Sequence, residues 1–290
     1  MKTLKLVIFC LTMTFVIVLS WMVGSLIGNA ITQTSPPPSD SANAGLAFLG
    51  VCVFNAILLT LLIGATAAYH GSRRRTALVL YVFAIQFLLP QMDTFFFASG
   101  IGIGYAQATA IVIAGAVVSF LTVTMGILMF KKMIGVPSVP KPLVIPYHNK
   151  KQMLLLVAVL AVIGYPFLYF TFGYYVAWQS ETLRMFYTSS AATSSYLGGI
   201  EDAFGNGLYF FQVLRAVIWI AATVSIVGML KERPVAQFLI VGVFSALLPT
   251  CLLFIPNPYM PWDISMIHFV ETSTSNFLWG LLMVWAIRKF

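Results

Sequence analysis

Two ionisable residues, Arg215 and Glu271, lie well inside long apolar stretches of the sequence. A charged side chain in hydrocarbon costs on the order of a few kcal/mol unless it is paired or hydrated, and such residues commonly carry function. Both residues are about 10 Å below the same predicted membrane boundary, at a helical rise of 1.5 Å per residue. We therefore expect Arg215 and Glu271 to form a charge-assisted pair if their helices touch.

Polar side chains surround Glu271 in a way that is unusual for an apolar stretch. His268, Thr272 and Ser275 lie at spacings of three and four residues, so a helix would place them on the same face as Glu271. These positions predict a polar, hydrated pocket that opens to the outer face. Its expected lining residues are Gln212, Arg215, His268, Glu271, Thr272, Ser275 and Asn276. The residues expected at its outer mouth are Asp93, Arg184 and Asp263.

The pocket has two interpretations. A buried pair of Arg215 and Glu271 could serve only to fix the register of two helices. Alternatively, the pocket binds a ligand, an ion or a proton, and His268 could relay protons because an imidazole titrates near neutral pH.

Among the possible occupants of the pocket, a metal ion is less favoured than a proton. His268 and Glu271 have the i, i+3 spacing of carboxylate-bundle ligands. However, the other two histidines, His70 and His148, are predicted on the opposite side of the membrane. We expect neither a metal nor a cofactor.

Familiar catalytic motifs are absent from the sequence. There is no Gly-x-x-x-x-Gly-Lys-Ser/Thr loop, no Gly-x-Ser-x-Gly elbow and no His-Glu-x-x-His helix. These absences exclude phosphate-loop nucleotide hydrolysis and the two hydrolase classes that those motifs define.

The elements that position these residues are membrane helices. Hydrophobic residues make up 60% of the 290 residues and charged residues 8%, which excludes a soluble globular protein. Eight runs are long and apolar enough to cross a bilayer. They cover approximately residues 5–29, 46–69, 76–92, 106–130, 152–177, 208–230, 235–255 and 265–287. The predicted fold class is all-α, a polytopic membrane bundle of eight helices.

The basic residues predict the orientation of the bundle. If the N-terminus is cytoplasmic, Lys and Arg concentrate in the inner segments, and Arg184 is the only basic residue in an outer segment. Both termini are then cytoplasmic, and we expect the cytoplasmic membrane of a bacterium. The net charge of +8 follows from this topology and from attraction to anionic lipids, so no nucleic-acid partner is expected.

The chain divides into two halves of four helices. Residues 1–130 hold the first four, 131–151 form a proline-rich cytoplasmic linker, and 152–290 hold the last four with the outer loop 178–207. We expect kinks at Pro166 and Pro249. Small residues recur every fourth position in two helices and predict close packing. They are Gly24, Gly28, Ala106, Ala110 and Ala114.

Three function classes remain open. The leading prediction is a small secondary transporter or channel-like protein that moves a small ion or solute through the polar pocket. One alternative is an intramembrane enzyme that acts on a lipid or lipid-linked substrate at the outer leaflet, with Glu271 or His268 as general base. Another is a non-catalytic subunit or receptor that binds a protein partner through loop 178–207. Membrane lipids are partners in every case, and the sequence leaves open whether the chain is an enzyme.

Overall fold

The described part of the protein is helical. The computed structural model describes residues 2–35, 43–98, 102–135, 150–192, 194–230 and 234–289. The helices in these ranges are α1 (Lys2–Thr32), α2 (Ala44–Ala65), α3 (Gly71–Phe96), α4 (Tyr105–Met133), α5 (Lys151–Ala177), α6 (Glu181–Thr188), α7 (Tyr196–Gly205), α8 (Leu208–Met229), α9 (Pro234–Thr250) and α10 (Trp262–Arg288).

Seven of these helices are long and apolar enough to cross a membrane: α1 to α5, α8, and α9 with the turn that follows it. They correspond to the first seven predicted segments, so the prediction of a helical membrane bundle is confirmed. The last helix, α10, has 27 residues and is about 40 Å long, but it is more polar than the others. It packs antiparallel to α9, with Gly280 against Gly242.

Small residues bring neighbouring helices into backbone contact. A Cβ atom added to Gly24 would lie 2.7 Å from the carbonyl oxygen of Ala114, and one added to Gly28 would lie 2.4 Å from that of Ala110. The packing of α1 against α4 therefore depends on the absence of a side chain at both glycines. The close packing predicted from these spacings is confirmed.

Two proline-containing helices are widened before the proline. A π-helical turn covers Ala84–Leu88 ahead of Pro90 in α3, and another covers Leu160–Gly164 ahead of Pro166 in α5. Pro166 has no N–H to donate to the carbonyl four residues earlier, that of Val162. That carbonyl accepts a hydrogen bond of 2.5 Å from the Tyr209 hydroxyl in α8. The irregularity expected at Pro166 is present and is compensated by α8.

At Pro249 the helix also changes. Helix α9 ends at Thr250 and continues as a 3₁₀ turn over Cys251–Phe254. In α3, by contrast, the helix passes through Pro90 and continues to Phe96. The helix therefore extends four residues beyond the approximate end predicted at residue 92, and Asp93 lies within it.

The loop between α5 and α8, which was predicted on the outer side, contains the short helices α6 and α7. Ser180 and Ser195 cap them by accepting hydrogen bonds from the N–H groups of Leu183 (3.3 Å) and Gly198 (3.0 Å). The proline-rich linker predicted at 131–151 lies mostly outside the described residues, as does His148.

The centre of the bundle is aromatic. The Tyr165 ring of α5 contacts the ring of Trp219 in α8 at 5.7 Å and that of Trp279 in α10 at 5.1 Å, measured between centroids. Both tryptophans are fully buried. This contact fixes α5, α8 and α10 around the polar residues described next.

Candidate functional site

Arg215 of α8 forms an ion pair with Asp93 of α3. The guanidinium Nη2 lies 2.6 Å from the carboxylate Oδ2 of Asp93. Gln212, one turn earlier in α8, accepts a hydrogen bond of 2.7 Å from Arg215 and donates one of 3.4 Å to Asp93. The Arg215 side chain is 5% exposed and that of Asp93 33%. The three residues form a closed set in which the two formal charges cancel.

This arrangement differs from the expected pair of Arg215 and Glu271. No direct contact between those two side chains occurs in the part of the chain that the structure describes. The reason is the continuation of α3 beyond Pro90, which carries Asp93 to Arg215. Asp93 was predicted at the outer end of this helix, as a residue of the pocket mouth, and its pairing with Arg215 was not predicted.

Glu271 instead belongs to a hydrogen-bonded chain that leads to the outer loop. Its Oε2 atom lies 3.2 Å from Nδ1 of His268 and 3.4 Å from the Thr272 hydroxyl. The Nε2 atom of His268 lies 2.9 Å from the Tyr187 hydroxyl in α6. A carboxylate, an imidazole and a phenol are thus joined in series.

Tyr187 is a site residue that the sequence analysis missed. It precedes His268 by 81 residues, and no periodic pattern connects the two positions. Its ring is packed among those of Phe97, Trp178 and His268. Burial raises the pKa of the Tyr187 hydroxyl, and the nearby carboxylates of Asp93 and Glu271 raise it further. The phenol therefore stays protonated at neutral pH.

A phenol can donate or accept, so the direction of these hydrogen bonds depends on the tautomer of His268. A Tyr187 hydroxyl that donates to Nε2 leaves the proton of a neutral imidazole on Nδ1. The Nδ1–H group of His268 then donates to Glu271. In this tautomer the lone pair of His268 faces Tyr187 and its N–H group faces Glu271.

The two sets of residues interact electrostatically, although they are not hydrogen-bonded to each other. Asp93 interacts with Glu271 and His268 as well as with Arg215. Arg215 and Asp93 neutralise each other, so Glu271 and His268 set the net charge of the site. These two residues form an ion pair when the imidazole holds a second proton.

The other predicted pocket residues lie close by on α10 or in the loop. Ser275 and Asn276 are buried, and Ser275 donates to the carbonyl of Thr272 at 3.2 Å. Asp263 is exposed in the first turn of α10. Arg184 donates to the carbonyls of Ala191 (2.9 Å) and Trp178 (2.6 Å) and so holds the loop together. Within the described ranges, no three His, Cys, Asp or Glu side chains group closely enough to hold a metal ion.

No protein-family model, curated protein or solved structure gives a significant match to this chain.

Proposed function

We propose that eight helices, α1 to α5 and α8 to α10, cross the membrane and that both termini are cytoplasmic. The beginning of α1 packs against the end of α4, where the rings of Phe9 and Phe130 are 5.4 Å apart. The end of α10 is bonded to the beginning of α9 through Arg288 and Gln237. These contacts support an arrangement in which the beginning of α1 and the end of α10 lie on the same face of the bundle. The basic residues predict that this face is cytoplasmic. A bacterial cytoplasmic membrane remains the predicted location.

Cysteine labelling tests this topology. In a chain without its three native cysteines, Ser190→Cys should react with an impermeant maleimide added outside intact cells, because residue 190 is in the outer loop. Lys132→Cys, at the end of α4, should react only after the cells are opened. Both positions are exposed, so their reactivities are comparable. The reverse pattern would overturn the orientation.

We propose that the protein is a small secondary transporter or channel-like protein that moves protons through the Glu271 site. One observation carries the proposal. Glu271 is buried, 8% exposed, and in the described residues its polar contacts are His268 and Thr272, with no Lys or Arg bonded to it. A carboxylate in that setting is stable when it holds a proton or a cation.

The hydrogen-bonded chain gives that proton a route from the outer side. His268 accepts a proton at Nε2, beside Tyr187, and releases the Nδ1 proton to Glu271. Reorientation of the imidazole, or return of its remaining proton to Nδ1, restores the starting tautomer. The neutral pair of Arg215 and Asp93 adds no net charge that would oppose protonation of Glu271.

A flux measurement tests this function. Purified protein in liposomes that contain a pH-sensitive dye should acidify the interior when a potassium diffusion potential, negative inside, is imposed with valinomycin. Glu271→Gln should reduce the flux to that of empty liposomes, because the amide cannot take up a proton. Glu201→Gln, at an exposed position in α7, is the matched control and should keep wild-type flux. Equal flux in Glu271→Gln and wild type would contradict the proposal.

One observation favours an enzyme as a second candidate. A carboxylate, an imidazole and a hydroxyl in series form the arrangement that activates a hydroxyl in acyl transfer. The hydroxyl here belongs to Tyr187 in the outer loop, within reach of the outer leaflet. Release of fatty acid or headgroup from vesicles by wild type, and its loss in Tyr187→Phe, would favour this candidate. Intact lipid after prolonged incubation would count against it.

A further inference from the structure

Ten buried side-chain polar atoms in the described residues have no hydrogen-bond partner. Seven of them lie on α8 or on helices that contact it, namely α3, α9 and α10, and six of the seven belong to buried residues. These six are Tyr81 Oη, Arg215 Nε, Trp219 Nε1, Thr223 Oγ1, Ser245 Oγ and Trp279 Nε1. Each of these residues is at most 4% exposed. Buried polar groups in native proteins are almost always satisfied, by protein or by bound water.

Along α8 these groups recur on one face. Arg215, Trp219 and Thr223 are four residues apart, so they lie one above the other. One turn further, the carbonyl of Val227 accepts a hydrogen bond of 2.5 Å from Gln237, which is bonded to Arg288. The line from Arg215 to Val227 is about 18 Å long at 1.5 Å per residue. This line runs from the ion pair of Arg215 and Asp93 to the end of the bundle that carries the basic residues.

The Thr223 hydroxyl does not bond to its own helix. In Thr60, Thr122 and Thr250 the hydroxyl donates to the carbonyl four residues earlier at 2.6–2.7 Å. A threonine buried in a membrane helix normally satisfies itself in this way. Thr223 is fully buried without that bond, and its hydroxyl has no hydrogen-bond partner among the described residues.

The remaining groups lie at a similar depth near the middle of the bundle. Tyr81, Ser245 and Trp279 are each nine to eleven residues from the basic end of their own helix, which is about 14–17 Å. The hydroxyls of Tyr81 and Ser245 are close enough to interact with each other, and one water molecule between them would complete the hydrogen bonding of both. An indole N–H can only donate, so Trp219 and Trp279 both require an acceptor. Water satisfies donors and hydroxyls alike.

We propose that a chain of internal water molecules lies along the buried face of α8 and conducts protons between the site of Asp93 and Glu271 and the cytoplasmic end at Gln237 and Arg288. This inference rests on the proposed proton transport and supplies its inner half. Each water accepts one proton and passes another to its neighbour, so only O–H bonds form and break, and the water molecules then reorient before the next transfer. The tryptophans hold the waters and take no part in the transfer.

Radiolytic labelling tests whether the line holds water. Hydroxyl radicals generated by X-rays from water bound beside a side chain oxidise it even when bulk solvent cannot reach it. Trp219 and Trp279 should be oxidised at rates approaching that of the half-buried Trp178 in the outer loop. Because all three residues are tryptophan, their intrinsic reactivity is the same. Absence of oxidation at Trp219 and Trp279 while Trp178 is oxidised would show a dry interior and overturn the inference.

Proton flux tests whether the water conducts. Thr223→Val keeps the side-chain shape and removes the hydroxyl, and should lower the flux about tenfold, the effect of one hydrogen bond in the barrier. Thr122→Val in α4 is the matched control, since that hydroxyl bonds to its own helix, and should retain wild-type flux.

The outcomes separate this inference from the proposed function. Loss of flux in Glu271→Gln together with unchanged flux in Thr223→Val would overturn the pathway and leave the transport function standing. If the wild-type protein carries no proton flux, both the proposed proton transport and the proposed proton pathway are overturned. The labelling of Trp219 and Trp279 would then still decide whether the line contains water.

Discussion

Asp93→Asn should lower the free energy of unfolding by about 3–5 kcal/mol, the typical cost of removing one partner from a buried ion pair. The Arg215 side chain is 5% exposed and its Nε atom already lacks a partner. An arginine in a protein cannot lose its proton, so it cannot relieve the unpaired charge. Gln212 would remain as its hydrogen-bonding neighbour, but it carries no counter-charge.

Substitution of the arginine instead of the aspartate should lower the free energy of unfolding by a smaller amount. In Arg215→Met the carboxyl group of Asp93 can take up a proton and become neutral, and its side chain is one-third exposed. We expect a loss of about 1–3 kcal/mol, the cost of an unsatisfied polar group. The double variant Asp93→Asn with Arg215→Met should recover much of the loss, because no charge is then left unpaired.

Equilibrium unfolding in mixed micelles of mild detergent and dodecyl sulfate measures these differences. Arg75→Met is the matched control for loss of a positive charge, since Arg75 is exposed at the start of α3. It should change the stability by less than about 0.5 kcal/mol. Additive losses in the double variant would show that Asp93 and Arg215 do not stabilise each other, contrary to the geometry.

The helices were predictable from the sequence because apolar length is a strong signal. The structure has a long helix at each of the eight predicted segments, and Gly24 and Gly28 pack where their spacing indicated. The difference at the end of α3 has a local cause. Pro90 suggests a helix end, but the π-helical turn at Ala84–Leu88 accommodates the proline, and the apolar residues after Asp93 continue the helix.

The partners within the site were less predictable, because they depend on tertiary contacts. The ionisable residues Arg215 and Glu271 were identified from their depth alone. Their partners were not, since Asp93 is brought in by α3 and Tyr187 by a short helix in the outer loop. The apolar sequence after Asp93 was a usable signal for the first of these partners. For Tyr187 the sequence contains no comparable signal.

The contact between α1 and α4 gives the second large effect. In the double variant Gly24→Ala with Gly28→Ala, two methyl groups would lie 2.7 Å and 2.4 Å from backbone oxygens of α4. A backbone cannot move aside as a flexible side chain can, so the two helices must separate. If each substitution costs about 1–3 kcal/mol, as overpacking does, the pair costs about 2–6 kcal/mol.

The same chemical change in α2 provides the control for that variant. A Cβ atom added to Gly45 or to Gly50 would meet no atom within 4 Å. Gly45→Ala with Gly50→Ala should therefore leave the stability unchanged or raise it by up to about 1 kcal/mol per site, the difference in helix propensity. Unfolding in the same mixed micelles compares the two double variants. Equal stabilities would mean that α1 does not need its glycines, and that the packing of α1 on α4 is looser than these distances require.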